Sequence, residues 1–173
     1  SLFLSVITLV TPIQPSCIKQ VRALYQDHVL TIEMERRGIR TDRTTQMRML
    51  QMRPTFDEQL AAWKHFRQTQ TPDLSEYRIM LKLVSESDNP LIAMRLLGEM
   101  KDDQVMPDKY MVAMTLDLCH KQEQHEHGRM IVGRLIESPG VVDWDETLVA
   151  SALKIAIGSE DLLDKFLTIL AKK

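Results

Sequence analysis

The stretch Leu74–Asp108 reads LSEYRIMLKLVSESDNPLIAMRLLGEMKDDQVMPD. Tyr77, Met80, Leu81 and Val84 fall at the i, i+3, i+4, i+7 spacing of one helix face. The polar run from Ser85 to Asn89 breaks that pattern. Asp88 or Asn89 can cap a second helix, with Pro90 in its first turn. Ala93, Leu96, Leu97 and Met100 then form a second apolar face, which Asp102, Asp103 and Pro107 end. The stretch is a helical hairpin closed by Pro107-Asp108.

Outward from this hairpin the plan recurs. Asp73, Asp108 and Asp143 stand 35 residues apart, the first two after proline and the third closing SPGVVD. Asp42 stands 31 residues before Asp73 and closes EMERRGIRTD, much as Asp108 closes EMKDDQVMPD. The Asp series fits helix capping at each boundary. In the next unit Met111, Thr115, Leu118 and Cys119 line a first helix and Met130, Ile131 and Leu135 a second. The last unit starts at Trp144, with Leu148, Ala152 and Ile155 on its first helix. Ser159 is the expected cap of the second helix, which carries Leu163, Phe166, Leu167 and Leu170. The unit from Arg43 to Asp73 is shorter, with Leu60, Trp63 and Phe66 in its second helix and Trp63 in the core. One hairpin cannot bury its apolar face alone, and about three or more must stack to share a core. The expected fold is all-α, a solenoid of three to four antiparallel hairpins. Residues 1–29 form an irregular segment, followed by units at 30–42 (partial), 43–73, 74–108, 109–143 and 144–173.

Composition agrees. Of 173 residues, 44% are hydrophobic and 27% charged, as in a globular chain rather than a disordered one. Six Gly, seven Pro and eleven Met favour helices over turn-rich β structure. The net charge of −2 lacks the basic footprint of a dedicated nucleic-acid binder, while leaving room for a local basic patch. Cys17 and Cys119 make no disulfide framework, which points to a reducing interior. The opening SLFLSVITLV is too short for a transmembrane helix of roughly 20 residues and reads as a buried segment. Its start on Ser rather than Met marks the chain as processed or part of a longer protein.

Candidate sites are few. Arg36, Arg37, Arg40, Arg43, Arg48 and Arg53 are the best local group for phosphate contact, diluted by Glu33, Glu35 and Asp42. Lys64, His65 and Arg67 extend it. Cys119, His120, His125, Glu126 and His127 match no zinc half-site spacing and read as a solvated turn. The Met series reads as core filling. No phosphate loop, nucleophile motif or carboxylate pair with a substrate is present, so neither an enzyme nor a cofactor or metal is expected.

A 35-residue hairpin closing in Pro-Asp resembles the pentatricopeptide repeat family, best in Leu74–Asp108. There Tyr77, Ala93, Met100, Lys101 and Pro107-Asp108 stand at the family's landmark positions. Gly38 in EMERRGIRTD takes the family's usual glycine, with Thr41 in place of proline. Later units match in period but less in residues, with Gly128 for the small Ala and Val142 for Pro. Tetratricopeptide repeats differ in period and lack their signature here. The resemblance implies a superhelix of hairpins in mitochondria or another organelle, often binding single-stranded RNA one base per repeat. The fifth and last residues of a repeat then bond the base edge, and an aliphatic second residue wedges it.

Here the last residues are Asp73, Asp108 and Asp143, and the fifth are Arg78, Ala113 and Leu148. Ala113 and Leu148 have no polar side-chain atom, and Arg78 is longer than the usual Asn, Thr or Ser. The second residues, Ser75, Tyr110 and Asp145, are not aliphatic, although Tyr110 can stack on a base. The resemblance with a blank code implies a scaffold subunit of an organellar RNA–protein assembly, such as the mitochondrial ribosome. Its partners are then proteins and RNA contacted through the backbone, with no membrane or small-molecule substrate. A single-stranded RNA maturation or translation factor and a tetratricopeptide-like peptide adaptor are the alternatives.

Overall fold

Each first helix of a pair starts at an aspartate whose Oδ1 accepts the backbone N–H three residues on. In the computed structural model, which describes residues 42–138, 140 and 142–171, these caps are Asp42, Asp73, Asp108 and Asp145. The N–H groups of Thr45, Glu76, Met111 and Leu148 donate to them at 2.7, 3.0, 2.9 and 3.0 Å. At Asp73 the cap is reciprocal, since Glu76 Oε2 accepts the Asp73 N–H at 2.8 Å. The expectations for residues 1–29, for the partial unit before Asp42, and for Cys17, Gly38, Thr41, Arg36, Arg37 and Arg40 lie outside the described residues.

Eight helices follow in order among the described residues: α1 Arg43–Gln51, α2 Phe56–Thr69, α3 Leu74–Glu86, α4 Pro90–Asp102, α5 Lys109–Lys121, α6 His125–Glu137, α7 Glu146–Ala156 and α8 Glu160–Leu170. They form four consecutive pairs, an all-α helical-repeat fold. The chain divides between Gln59 and Leu60, inside α2, into two units. In the first unit α1 buries Met47, Met49 and Leu50. Gln59 donates its side-chain amide to the carbonyls of Gln51 and Arg53, tying the turn to the start of α2.

In the second unit the first helices stack on one another, α3 on α5 and α5 on α7, and each pairs with its own second helix. Tyr77, Met80, Leu81 and Val84 are buried on α3, and Ala93, Leu96 and Met100 on α4. Trp63 is buried against Phe66 and edge-on to Tyr77. Burying such side chains contributes roughly 1.5–3 kcal/mol each. The last two pairs share a core that includes Leu116, Cys119, Val132, Leu148, Ile155 and Phe166. Gly128 lets α6 approach α7, because a Cβ there would stand 2.7 Å from Ile155 Cδ1. Met130 departs from its expected place in the core and is exposed, while Gly128, Val132 and Leu135 form the buried stripe of α6.

Two turn readings are refined. Asn89, not Asp88, caps α4, its Oδ1 accepting the Ile92 N–H at 3.2 Å. Ser159 occupies the N-cap position of α8 without a side-chain bond. Asp88, Gln104 and Glu123 instead stand just past α3, α4 and α5 with φ of 54, 57 and 55°. The following N–H reaches back to Val84, Met100 and Cys119 carbonyls at 3.4, 2.8 and 2.8 Å, the Schellman closure of a helix.

Asp143 was expected as the third boundary cap, but Asp145 performs that role. The junction Ser138–Asp145 is longer than Asp103–Asp108 and folds Val142 and Trp144 inward, with Trp144 5.3 Å from the Phe166 ring. The Leu148 N–H and then Lys109 hold the Asp145 carboxyl below its ordinary range. A folded-state pKa that is depressed gives stability present above the unfolded value, ~3.9, and lost as pH falls through the folded one. Asp145→Ala is therefore expected to lower Tm by ~2–4 °C at pH 7, more than Asp143→Ala, which removes no cap. The Asp145→Ala deficit should narrow in thermal scans below pH ~4; equal effects of the two variants at pH 7 would place the helix start elsewhere. Separately, Gln104→Gly and Glu123→Gly should each raise stability in urea unfolding by up to ~1 kcal/mol, since glycine takes the left-handed conformation without a Cβ penalty.

Candidate nucleic-acid interface

Residues two, five and nine positions after a cap share one face of a helix. On α3 these are Ser75, Arg78 and Lys82, all exposed. On α5 they are Tyr110, Ala113 and Asp117; Tyr110 is 59% exposed and Ala113 is buried. On α7 they are Thr147, Ala150 and Lys154, all exposed. Because the cap is Asp145, Leu148 is not on this face at all: it is wholly buried in the core, and Ala150 takes its expected place. Likewise Thr147 replaces Asp145 as the second residue of that unit.

Several charges on and beside this face pair with one another. Arg78 Nε donates to Asp108 Oδ2 at 2.6 Å, and Nη2 lies 2.5 Å from the same oxygen. Asp108 Oδ1 meanwhile caps α5. The two residues expected to read a base in the second described unit thus satisfy each other and a helix end. Ala113 and Ala150 carry no polar atom. Lys109 lies 2.9 Å from Asp145 Oδ2 and 5.3 Å over the Tyr110 ring, and the Asp145 hydrogen bond raises its pKa. Lys121 pairs with Asp88 at 2.7 Å and Lys154 with Asp117 at 2.8 Å.

The remaining sequence candidates are dispersed. Arg43 and Arg48 are exposed and Arg53 half-buried in the unit ending at Gln59. Arg78, Asp108 and Tyr110 belong to the other unit. Lys64 and His65 are exposed, but Arg67 is a strut: its Nη1 and Nη2 lie 3.1 and 3.0 Å from Glu99 on α4 and from Asp103, the residue just past the end of that helix. Tyr77 OH also donates to Asp103, and Trp63 Nε1 donates to Glu99 at 3.3 Å. Burial and that bond to Asp103 push the Tyr77 phenol well above its ordinary range. Sequence periodicity places Trp63 and Tyr77 in the core, but the acidic partners on α4 show no signal before the helices are paired.

His120 and His125 face each other with ring centroids 5.7 Å apart, and His127 Nδ1 lies 3.2 Å from Gln124 Oε1. Cys119 is buried, which pushes its thiol pKa up. Among the described residues no three metal-ligating groups converge, and no helix is long and apolar enough to cross a membrane.

No family model matches the chain. No curated protein matches it either. Among solved structures it is similar to the PPR domain of Arabidopsis thaliana protein-only RNase P 1, solved in complex with tRNA. The TM-score is 0.68, covering 91% of this chain and 85% of that chain at 16% sequence identity. The chain has the fold of a pentatricopeptide repeat domain.

The double use of Asp108 sets an asymmetry. Arg78→Ala should cost less than ~0.5 kcal/mol in urea unfolding, as expected for an exposed ion pair. Asp108→Ala should cost about 1 kcal/mol, because it also uncaps α5. Equal costs would mean that the ion pair, not the cap, is the stabilising contact.

Proposed function

We propose that this chain is a non-catalytic repeat scaffold in an organellar RNA–protein assembly, for which the mitochondrial ribosome is the best fit. It contacts proteins, and it contacts RNA through phosphate and shape without reading bases. The observation that carries this reading is the Arg78–Asp108 pair: the positions that would read a base are bonded to each other. Ala113 and Ala150 support it, since neither can select a base edge. RNA contact is supported by the likeness to a PPR domain solved with tRNA. Arg43 and Arg48, exposed on α1, are the proposed phosphate contacts. A free-standing RNA maturation factor would need short polar readers, Asn, Thr or Ser, at the fifth positions, where Arg78, Ala113 and Ala150 stand instead.

Fluorescence anisotropy with oligo(U), oligo(A) and oligo(C) tests this. Affinities should agree within about threefold, well under the ~1–3 kcal/mol expected of a base-reading contact, and should fall steeply with salt. The Arg43→Ala, Arg48→Ala double variant should bind all three more weakly and reduce the salt slope by about 1 per arginine. The chain should also co-sediment with mitochondrial ribosomal subunits and remain bound after limited RNase treatment. A hundredfold preference for one oligonucleotide would refute the scaffold reading.

A further inference from the structure

Between α3, α5 and α7 lies a cleft of about 400 Å³, within the range of sites that take a few side chains. One stripe of α5 builds most of it. Ala113 and Leu118 are buried in its floor and Met114 half-buried, while Tyr110 stands exposed at one end. Its rim carries Asp88 from the α3 turn and Asp117 and Lys121 from α5. Lys121 and Lys154 each bond only Oδ1 of these carboxylates, so Oδ2 is left for another donor. All four side chains are 43–63% exposed, and ion pairs of that kind contribute ~0–1 kcal/mol and rearrange cheaply. Ser85 and Thr147 add hydroxyls at the cleft, able both to donate and to accept.

These features select the ligand. A base stacked on Tyr110 would bring phosphates beside lysines already paired with Asp88 and Asp117, so little charge neutralisation is gained. A protein segment meets the opposite condition. Its apolar side chain fills the Ala113–Met114–Leu118 floor, its peptide groups meet the hydroxyls, and a flanking guanidinium or ammonium meets a carboxylate and the Tyr110 ring. An exposed tyrosine beside an apolar floor is also the kind of anchor that concentrates binding energy at protein interfaces. We propose that this cleft docks an extended segment of a partner protein, one carrying an apolar side chain flanked by arginine or lysine. This deepens the scaffold reading, on which it rests, by giving the chemistry of the protein partner.

The test uses the whole 173-residue chain and three labelled probes. They are an octapeptide alternating leucine with arginine, the same peptide with glutamate for arginine, and an oligo(U) RNA. The arginine peptide should bind, and the glutamate peptide should bind at least ~10-fold more weakly. Tyr110→Ala and Asp117→Asn should each weaken the arginine peptide by roughly tenfold. Asp161→Asn, which removes an exposed acid on α8 outside the cleft, should leave affinity unchanged, with circular dichroism confirming that each variant is folded. Equal binding of the two peptides, equal loss in Asp161→Asn and Asp117→Asn, or no binding overturns the proposal. Tighter binding of the RNA that is lost in Tyr110→Ala overturns it too and assigns the cleft to nucleic acid. If the arginine peptide fails while the chain still co-sediments with ribosomal subunits, the cleft proposal falls and the scaffold reading stands. Peptide binding without co-sedimentation is the reverse case.

Discussion

An aspartate that accepts the third N–H of the following helix decides what every other residue of that helix does. Successive helical residues are rotated by about 100°, so a cap moved by two positions turns each side chain by about 200°. That is the difference between Leu148 and Ala150. With the helix started at Asp145, Leu148 faces the core with Ala152 and Ile155, and Ala150 faces outward. The same constraint places Tyr110 and Arg78 on the outer face of their helices. The cap is thus both a local hydrogen bond and the register mark for the exposed face.

The register is held by contacts that repeat from one pair to the next. Trp63 and Arg67 reach Glu99 and Asp103, and Lys109 reaches Asp145, all across 36 residues. Lys121–Asp88 and Lys154–Asp117 strap neighbouring first helices in the same way. Each exposed strap is weak in water. Their joint effect is on charge: Lys109, Lys121 and Lys154, cations that would otherwise attract phosphate, are each matched by an aspartate. The low net charge of the chain therefore has a local counterpart in these paired charges.

Much of this was legible in the residues. The Pro-Asp boundaries, the buried stripe of Leu74–Asp108 and the core position of Trp63 follow from spacing alone, because capping and periodicity are local. Three features were not. The even 35-residue spacing pointed to Asp143, while burial of Val142 and Trp144 lengthened the junction, a tertiary effect without a local mark. The Schellman turns carry Asp88, Gln104 and Glu123 instead of glycine, so their usual signal is missing. Arg67 looked like part of a basic patch because its partners, Glu99 and Asp103, lie one hairpin away. The exposed face was partly legible: Arg78 as a poor reader could be seen from its length, but its bond to Asp108 could not.

Stability and the expected base reading share the capping aspartates, such as Asp108, but part at the second positions after each cap. Caps and core fix the helices, whereas the second positions after each cap, and Arg78 and Ala150 among the fifth, touch solvent. Changes there cost the fold little, so a repeat array can lose its readers and keep its shape. At Arg78 a long cation on the exposed face reaches the neighbouring cap, Asp108. Once that happens, the groove offers what remains on its walls: an exposed tyrosine, an apolar floor and two carboxylates. In the proposed reading those groups hold a basic, partly apolar protein segment.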